Sequence, residues 1–584
     1  MILNLSNAFK LTGSRHDKTI SPEDTIKMFK EKSRSAQLDI LKQTQRIDNN
    51  RLGIPVYFSI CSRDAEALTK TKKQMGKGIT PILAEASAVM ELAERFSIYS
   101  FMQNKTNFIT AHYDKVKEQA VPFDSIVRSV QDDLSSKTIK ISEQIFSMLN
   151  LRWTKAYNIT RNKEMLIPID WFFMINEFNG ASSGNCNEEA ISQGACEVME
   201  RHVSALIAEG QPELPYINPQ SVTNPATADL IKKFRNAGIK FYINDFTLGT
   251  GIPTIGVLAF DPSTFPHASE IIWTAGTATS PDKALSRALT EVAQLAGDFN
   301  TASNYVASGL PKFKSLDQAE FIIGPYENKT GKRIDLQELP DISDKNIKTE
   351  IRNITKILEQ RGFEIITVRT TDPRLDIPGF YTIIPGTKFR ERAQNSSVAM
   401  FSAKYILENN PPEKAASELE TLSRVFKNKY YIKFYQGLCQ LSLQQPDQAL
   451  KYMESALALD PGRQDIPSIC SYTGICLKEL GEYEKAIEIL TRGIHADKDR
   501  DDIYNLMGFC NFMLKRYEKA ISCFEKVLEL KPGSGIDHAS IASNYRELGN
   551  IKKAIEYYEM ALLLDPSLEF AKENLNKLKN SANS

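Results

Sequence analysis

The sequence predicts an α+β N-terminal region, a mixed sheet with packed helices, followed by an all-α solenoid of helical hairpins. Three observations carry this. Apolar runs of strand length alternate with helical patterns as far as about residue 395. From residue 396 onward, small residues recur in phase at steps near 34. The 584 residues exceed what one core organises, so two or three domains are expected. The reading divides the chain into 1–395 and 396–584.

In the first region YFSIC (57–61), TIGVLAF (254–260), FEIITV (363–368) and FYTIIP (380–385) read as strands. Helical patterns cover about 81–100, 188–208, 226–237, 281–298 and 346–360. Gly, Pro and Asn punctuate them. Neither GxxxxGK[ST] nor GxGxxG occurs, so a nucleotide site here is neither a P-loop nor a Rossmann turn.

In the second region small residues stand at Gly437, Gly474, Gly508 and Ala542, with steps of 37, 34 and 34. An alanine follows each by twelve residues: Ala449, Ala486, Ala520 and Ala554. Small side chains at such spacing let paired helices touch. Pro461, Pro532 and Pro566 close the units, because proline lacks an N–H and clashes with the preceding turn. Ala403 and Ala415 extend the pattern backwards, giving about five hairpins, and residues from Phe570 to about Lys579 read as a capping helix. The pattern resembles the tetratricopeptide (TPR) repeat, which implies a concave groove that holds a peptide or partner protein.

Composition excludes several classes. Lys+Arg and Asp+Glu both number 72, which argues against a nucleic-acid-binding surface as the main function. No apolar run approaches the ~20 residues of a membrane span, and the N-terminus lacks a basic start followed by an apolar stretch. The eight cysteines are scattered without a CxxC, and the histidines number six, which disfavours a structural zinc site. Reduced thiols in a cytoplasmic protein is the expectation.

Three helices share one arrangement: SAVMELAER with Ser87, Glu91 and Glu94; EEAISQGACEVMER with Glu189, Gln193, Glu197, Glu200 and Arg201; and ALSRALTEVAQ with Arg287, Glu291 and Gln294. At 100° per residue Ser87, Glu91 and Glu94 share one helix face, as do Glu189, Gln193, Glu197 and Glu200, and Arg287, Glu291 and Gln294, each group within about 60–80°. One ExxER is ordinarily a solvated face with local ion pairs. Here the flanks are small or apolar, the arrangement occurs three times, and each helix follows a Gly-containing segment. Four carboxylates at Glu91, Glu94, Glu197 and Glu200 would repel when buried together unless a cation lay between them. Mg²⁺ with phosphate and water completes such a set, and Lys77, Arg201 and Arg287 supply charge for a polyphosphate. Cys186 and Cys196 flank the second helix, but no histidine is paired with them by a recognisable spacing, although His202 is close in sequence. They read as small buried thiols. No residue is singled out as catalytic.

These pieces, with KGITPILAEASAVMELAER (77–95), NGASSGNCNEEAISQGACEVMER (179–201), GTATSPDKALSRALTEVAQ (276–294) and IPGFYTIIPG (377–386), resemble the YcaO family of ATP-dependent enzymes over about residues 15–390. DKTISPEDT (17–25) resembles that family's upstream basic and hydroxyl segment. The resemblance implies ATP and Mg²⁺ as cofactors. It implies Glu91, Glu94, Glu197 and Glu200 as metal ligands. Lys18, Thr25, Lys77, Ser87, Arg201 and Arg287 would contact phosphates, and Asn185, Glu189 and Gln193 would line the nucleotide pocket. The implied reaction is phosphorylation of a peptide-amide oxygen followed by nucleophilic attack, giving an azoline, thioamide or amidine. The azoline branch often ends in a proline-rich tail, whereas here PGTKFRERAQ runs into the repeats, so thioamidation or a related protein modification is expected. Implied partners are a peptide or protein substrate and a protein in the TPR groove, a sulfur-delivery protein among the candidates, with no direct nucleic acid and no membrane; a homodimer is compatible. Two alternatives stay open: an accessory factor for ribosomal-protein methylthiolation, and a nucleotide-regulated TPR scaffold without turnover.

Overall fold

The structure, a computed structural model, describes residues 3–11, 17–130, 132, 136–300, 310–389 and 396–582. The chain forms two compact units. The first comprises residues 1–135 and 150–397, the second 136–149 and 398–584. The helix Ser136–Met148 therefore belongs with the helical unit, although it lies far upstream in sequence. The reading at 1–395 and 396–584 did not provide for this excursion. Its boundary, between 395 and 396, stands two residues before the division between Ser397 and Val398.

Within the first unit the described strands form three sheets. Strands β1 (Leu41–Arg46), β2 (Val56–Cys61) and β3 (Lys73–Lys77) make an antiparallel sheet in sequence order. The next strands are β4 (Ile109–Ala111), β5 (Leu151–Asn158), β6 (Lys163–Pro168) and β7 (Ala181–Ser183). They are followed by β8 (Tyr216–Ile217), β9 (Lys240–Asp245), β10 (Thr254–Phe260) and β11 (Ile272–Thr277). Last come β12 (Arg333–Ile334), β13 (Ile366–Arg369) and β14 (Gly379–Ile383). One sheet runs β11-β10-β9-β8-β12, the other β4-β5-β13-β14-β7 with β6 on β5. Only the β8–β12 pairing is parallel among the described pairs, so the mixed sheet expected from sequence is nearly all antiparallel and divided in three.

The run TIGVLAF shows why an unalternating apolar strand forms. All seven residues of β10 are buried. Ile255, Val257 and Ala259 pack with Ala284, Leu285, Ala288 and Leu289 of the helix Pro281–Ala296. On the opposite face Leu258 and Phe260 join Tyr242, Phe246, Trp273 and Phe313. A strand covered on both faces has no solvent side to carry polar residues. Each such buried Leu or Phe contributes roughly 1.5–3 kcal/mol. FEIITV was read as a strand throughout, but only its last residues fall in β13; Phe363 to Ile365 precede it.

Three strand–turn–helix units dominate this domain. β3 leads into the first acidic helix (Pro81–Gln103), β7 into the second (Asn187–Gly210) and β11 into the third site helix (Pro281–Ala296). Pro81 and Pro281 stand in the first turn, where the missing N–H costs nothing. The strands lie directly on their helices. A Cβ built on Gly76 would sit 2.0 Å from the Ala88 nitrogen, and one on Gly276 2.3 Å from the Ala284 oxygen. Only glycine facing alanine permits that approach.

In the helical unit the described residues form five hairpins. Their helices are Val398–Asn409 with Pro412–Val425, Tyr430–Ser442 with Pro446–Ala458, Ile466–Glu479 with Tyr483–Ala496, Asp501–Met513 with Tyr517–Leu530, and Gly535–Glu547 with Ile551–Leu564. A final helix, Glu569–Ala582, caps them. The packing explains the periodicity. Gly437 receives Met453, Gly474 receives Leu490, and Gly508 receives the Phe524 ring; an added Cβ would meet these side chains at 2.6–2.7 Å. Ala449, Ala486, Ala520 and Ala554 are all fully buried. The second, third and fourth hairpins are therefore each locked by a glycine on the first helix facing a large side chain on the second.

Gly276→Val should lower stability by at least about 1–3 kcal/mol, because strand and helix must separate to admit the side chain. Thermal or urea unfolding of the full chain checks this. An unchanged midpoint would contradict the close packing described.

Candidate active site

The three site helices come together through polar contacts that close a ring. Ser183 Oγ, just before the second acidic helix, donates to the Met90 carbonyl of the first at 2.8 Å. The Thr277 N–H, at the end of β11, donates to Glu200 Oε2 at 2.9 Å. Arg287 Nη1 on the third helix donates to Gln193 Oε1 on the second at 2.6 Å. Lys77, at the end of β3, pairs with Glu291 on the third helix. The equivalent positions Glu91, Glu197 and Glu291 thereby face one region.

The electrostatics follow from this convergence. Burial pushes the Glu94 carboxyl well above the usual carboxylate range, and the charges of Glu91 and Glu197 add to it, against Arg95. Burial, with Glu200 and Glu91, lifts Glu197 to about 7 in spite of Arg201 and Arg95. Glu200 is raised by burial and by Glu291, opposed by Arg201, Arg287 and Lys77. Burial also opposes ionisation of Glu291, yet Lys77 and Arg201 hold it below the usual range. Arg95 Nη2 lies 2.8 Å from Glu91 Oε1, and its Nη1 lies 3.6 Å from Glu94. Arg201 lies 3.7 Å from Glu200 and 3.9 Å from Glu197. Carboxylates of two helices thus crowd one buried place, with insufficient cationic charge to keep them all ionised.

A cleft adjoins this cluster. Its wall includes Lys18, Glu189, Gln193, Cys196, Thr277, Arg287, Lys10 and Glu350. Glu189 organises one rim. Its Oε1 accepts the Thr19 N–H at 2.6 Å and the Thr19 hydroxyl at 2.7 Å, while Oε2 accepts the Asn185 N–H and Nδ2, both at 3.0 Å. Lys18 Nζ lies 3.9 Å from Glu189 Oε2. Thr25 Oγ1 is 3.0 Å from Asn185 Oδ1 and is buried, so Thr25 steadies Asn185 and is not part of the cleft wall. Ser87 is half-buried on the face it shares with Glu91 and Glu94, and it also stands outside that wall.

The residues fit a metal–nucleotide pair. Arg287 Nε is buried without a hydrogen-bond partner, a donor that an anionic oxygen would satisfy. Among the described residues no three His, Cys, Asp or Glu side chains enclose an ion by themselves. Mg²⁺ ordinarily takes one or two carboxylates and fills the remaining positions with phosphate oxygens and water.

The thiols are unsuited to nucleophilic work. Burial raises Cys186 to about 11 and Cys196 to about 12, leaving both protonated near neutrality. His202 Nδ1 accepts the Lys388 N–H at 2.9 Å, and burial lowers its pKa to about 4, so it is a neutral packing residue. Sequence reasoning placed Glu291 on the right helix face but gave it no role. It missed Lys10, Asp17, Lys283, Thr279 and Glu350, all cleft residues. Lys10 and Glu350 are separated by 340 positions, and no local spacing relates them. Arg95 was visible as the last residue of ExxER and is the main counter-charge of the first acidic pair.

Residues 75–388 match the family model described as YcaO cyclodehydratase, ATP- and Mg²⁺-binding. Residues within 403–568 match several tetratricopeptide-repeat models. An uncharacterized protein of Methanothermobacter thermautotrophicus is 25% identical over 385 residues, 64% of this chain and 95% of its own length. The ribosomal protein S12 methylthiotransferase accessory factor YcaO of Escherichia coli is 30% identical over 230 residues, 36% of this chain and 39% of its own length. Among solved structures, a heterocyclase in complex with substrate and cofactor superposes with a TM-score of 0.56 at 20% identity. The match covers 68% of this chain and 56% of the heterocyclase, and it establishes a shared fold. Among the described residues no helix is long and apolar enough to cross a membrane.

The acidic cluster makes a pH prediction. Glu197 has a folded pKa near 7, above its ordinary 4.5, so its contribution to stability is full below about 4.5 and is lost as pH rises through 7. In metal-free protein, Glu197→Gln should therefore raise the melting midpoint relative to wild type at pH 8, by the equivalent of about 1–3 kcal/mol. At pH 5 the gain should largely vanish. Calorimetry at the two pH values checks this; a gain that is the same at both would show that Glu197 does not titrate in this range.

Proposed function

We propose, since this chain belongs to the YcaO family, whose model is described as ATP- and Mg²⁺-binding, that it activates a peptide backbone amide by O-phosphorylation for attack by a nucleophile. Thioamidation or a related modification is the outcome we favour, on a peptide or protein held with help of the TPR repeats. The observation that carries the reading is the convergence of Glu91, Glu94, Glu197 and Glu200 beside Arg201, Arg287 and Lys77. An amide oxygen is a poor leaving group, and bound ATP supplies the phosphoryl group that makes it a good one, with Mg²⁺ offsetting the charge.

The chain's own residues have distinct tasks in this reading. Glu91, Glu94, Glu197 and Glu200 hold the metal. Arg201, Arg287 and Lys77 stabilise charge on the transferring phosphoryl group, the principal catalytic contribution in phosphoryl transfer. Glu291 aims Lys77, and Gln193 aims Arg287. Glu189 fixes the segment carrying Lys18 by binding Thr19 and Asn185. Arg95 offsets Glu91 and Glu94 from beneath. Ser87 and Thr25 are assigned to the phosphates on family resemblance alone; the bond from Thr25 to Asn185 supports an indirect role for that residue.

The name of the E. coli relative supports a second reading, in which the chain assists ribosomal-protein methylthiolation without turning over its own substrate. Mg²⁺-dependent ATP hydrolysis by the purified full chain, with the peptide substrate present, separates the two. Glu200→Gln should reduce hydrolysis by about 100-fold or more, the loss of an electrostatic group acting on the transition state. Equal hydrolysis in the two proteins would overturn the enzymatic reading. Proteome mass spectrometry with and without the chain then distinguishes oxygen-to-sulfur exchange from loss of water.

A further inference from the structure

The cleft has a second pole, remote in sequence from the acidic helices, to which no role has been given. Glu350, on the helix Ile347–Gln360, is almost wholly buried, its side chain 3% exposed. Lys10 Nζ, the Thr279 hydroxyl at 2.6 Å and the Asp344 N–H at 3.1 Å all donate to it, and all three fall on Oε1. That leaves Oε2 for the cleft which the carboxylate lines. An ionised carboxylate accepts hydrogen bonds and donates none, so Oε2, left without a bond in the protein, is an acceptor for a donor on whatever occupies the cleft.

The surroundings narrow the donor. Lys10 is neutralised by Glu350 and Lys283 by Asp17 at 2.9 Å, so this pole offers little net charge to a phosphate. Arg287, with its partnerless Nε, is the better phosphate end. Among the described residues the cleft wall contains Ile347 but no aromatic ring, so it is poorly built to sandwich a flat base. A small hydroxylated group fits both facts. A carboxylate bonded to a ribose hydroxyl is a recurrent solution in nucleotide sites.

We propose that Glu350, fixed by Lys10 and Thr279, is the ribose-reading residue of the nucleotide site and makes the protein select ribonucleotides over deoxyribonucleotides. The inference rests on the nucleotide-binding reading above and adds a specificity residue to it. Calorimetric titration of the full chain with Mg²⁺ and ATP, 2′-deoxyATP, 3′-deoxyATP or ITP tests it. Wild type should bind ATP about 10- to 100-fold more tightly than at least one deoxy analogue, the worth of a hydrogen bond to a charged group. Glu350→Gln should shrink that ratio to within about three-fold and leave binding of Mg²⁺–tripolyphosphate unchanged, which shows that the phosphate end is intact. Glu350→Asp, which keeps the charge but withdraws it by a methylene, should also shrink the ratio and serves if the glutamine variant does not fold. Equal wild-type affinity for ATP and both deoxy analogues would overturn the ribose assignment while sparing the nucleotide site. An ATP preference over ITP that the variants abolish, with deoxy discrimination intact, would overturn it in favour of contact with the base. Failure of wild type to bind any of the four would strike instead at the nucleotide reading itself.

Discussion

The domain depends on a repulsion. Glu91, Glu94, Glu197 and Glu200 are brought within electrostatic reach on two buried helices, and the cost appears as carboxyls that resist ionisation. Such an arrangement is unfavourable without a cation, since burying like charges is expensive. The scaffold has to hold it by force of packing. It does so by pressing glycine-bearing strands onto alanine faces, Gly76 on Ala84 and Ala88, Gly276 on Ala284 and Ala288. Gly194 similarly lets the second helix approach Ser182 and Thr382. Helices seated so tightly cannot turn their acidic faces away.

The ring of contacts among the three helices serves the same end. Each bond joins one strand–helix unit to the next: Ser183 to Met90, Thr277 to Glu200, Arg287 to Gln193, Lys77 to Glu291. The same helix position is used three ways. It is Glu91 beside Arg95, Glu197 within reach of Arg201, and Glu291 tied to Lys77. Two of the three helices thus contribute excess acid, while the third contributes Arg287 and a neutralised glutamate. A site of mixed charge follows, with acid for a cation and base for an anion.

The helical unit is organised by a different rule. Its hairpins repeat one small-against-large contact, Gly437 with Met453 through Gly508 with Phe524. Stability in such a stack is distributed among neighbours and does not reside in one core. The helix Ser136–Met148 joins this unit from within the sequence of the other.

How much could be read in advance depended on whether the relation was local. The repeat was legible because its packing partners lie at a fixed short separation, so the periodicity of Gly474, Gly508 and Ala542 states the geometry. The acidic faces were legible for the same reason, since 100° per residue places Glu197 and Glu200 together whatever surrounds them. That Glu91 and Glu197 meet was inferred only from the likeness of their helices. The membership of Ser136–Met148 in the helical unit, the division of strands among three sheets, and the pairing of Lys10 with Glu350 had no sequence signal. These join residues distant along the chain, and only the summed burial of the whole domain decides which distant residues become neighbours.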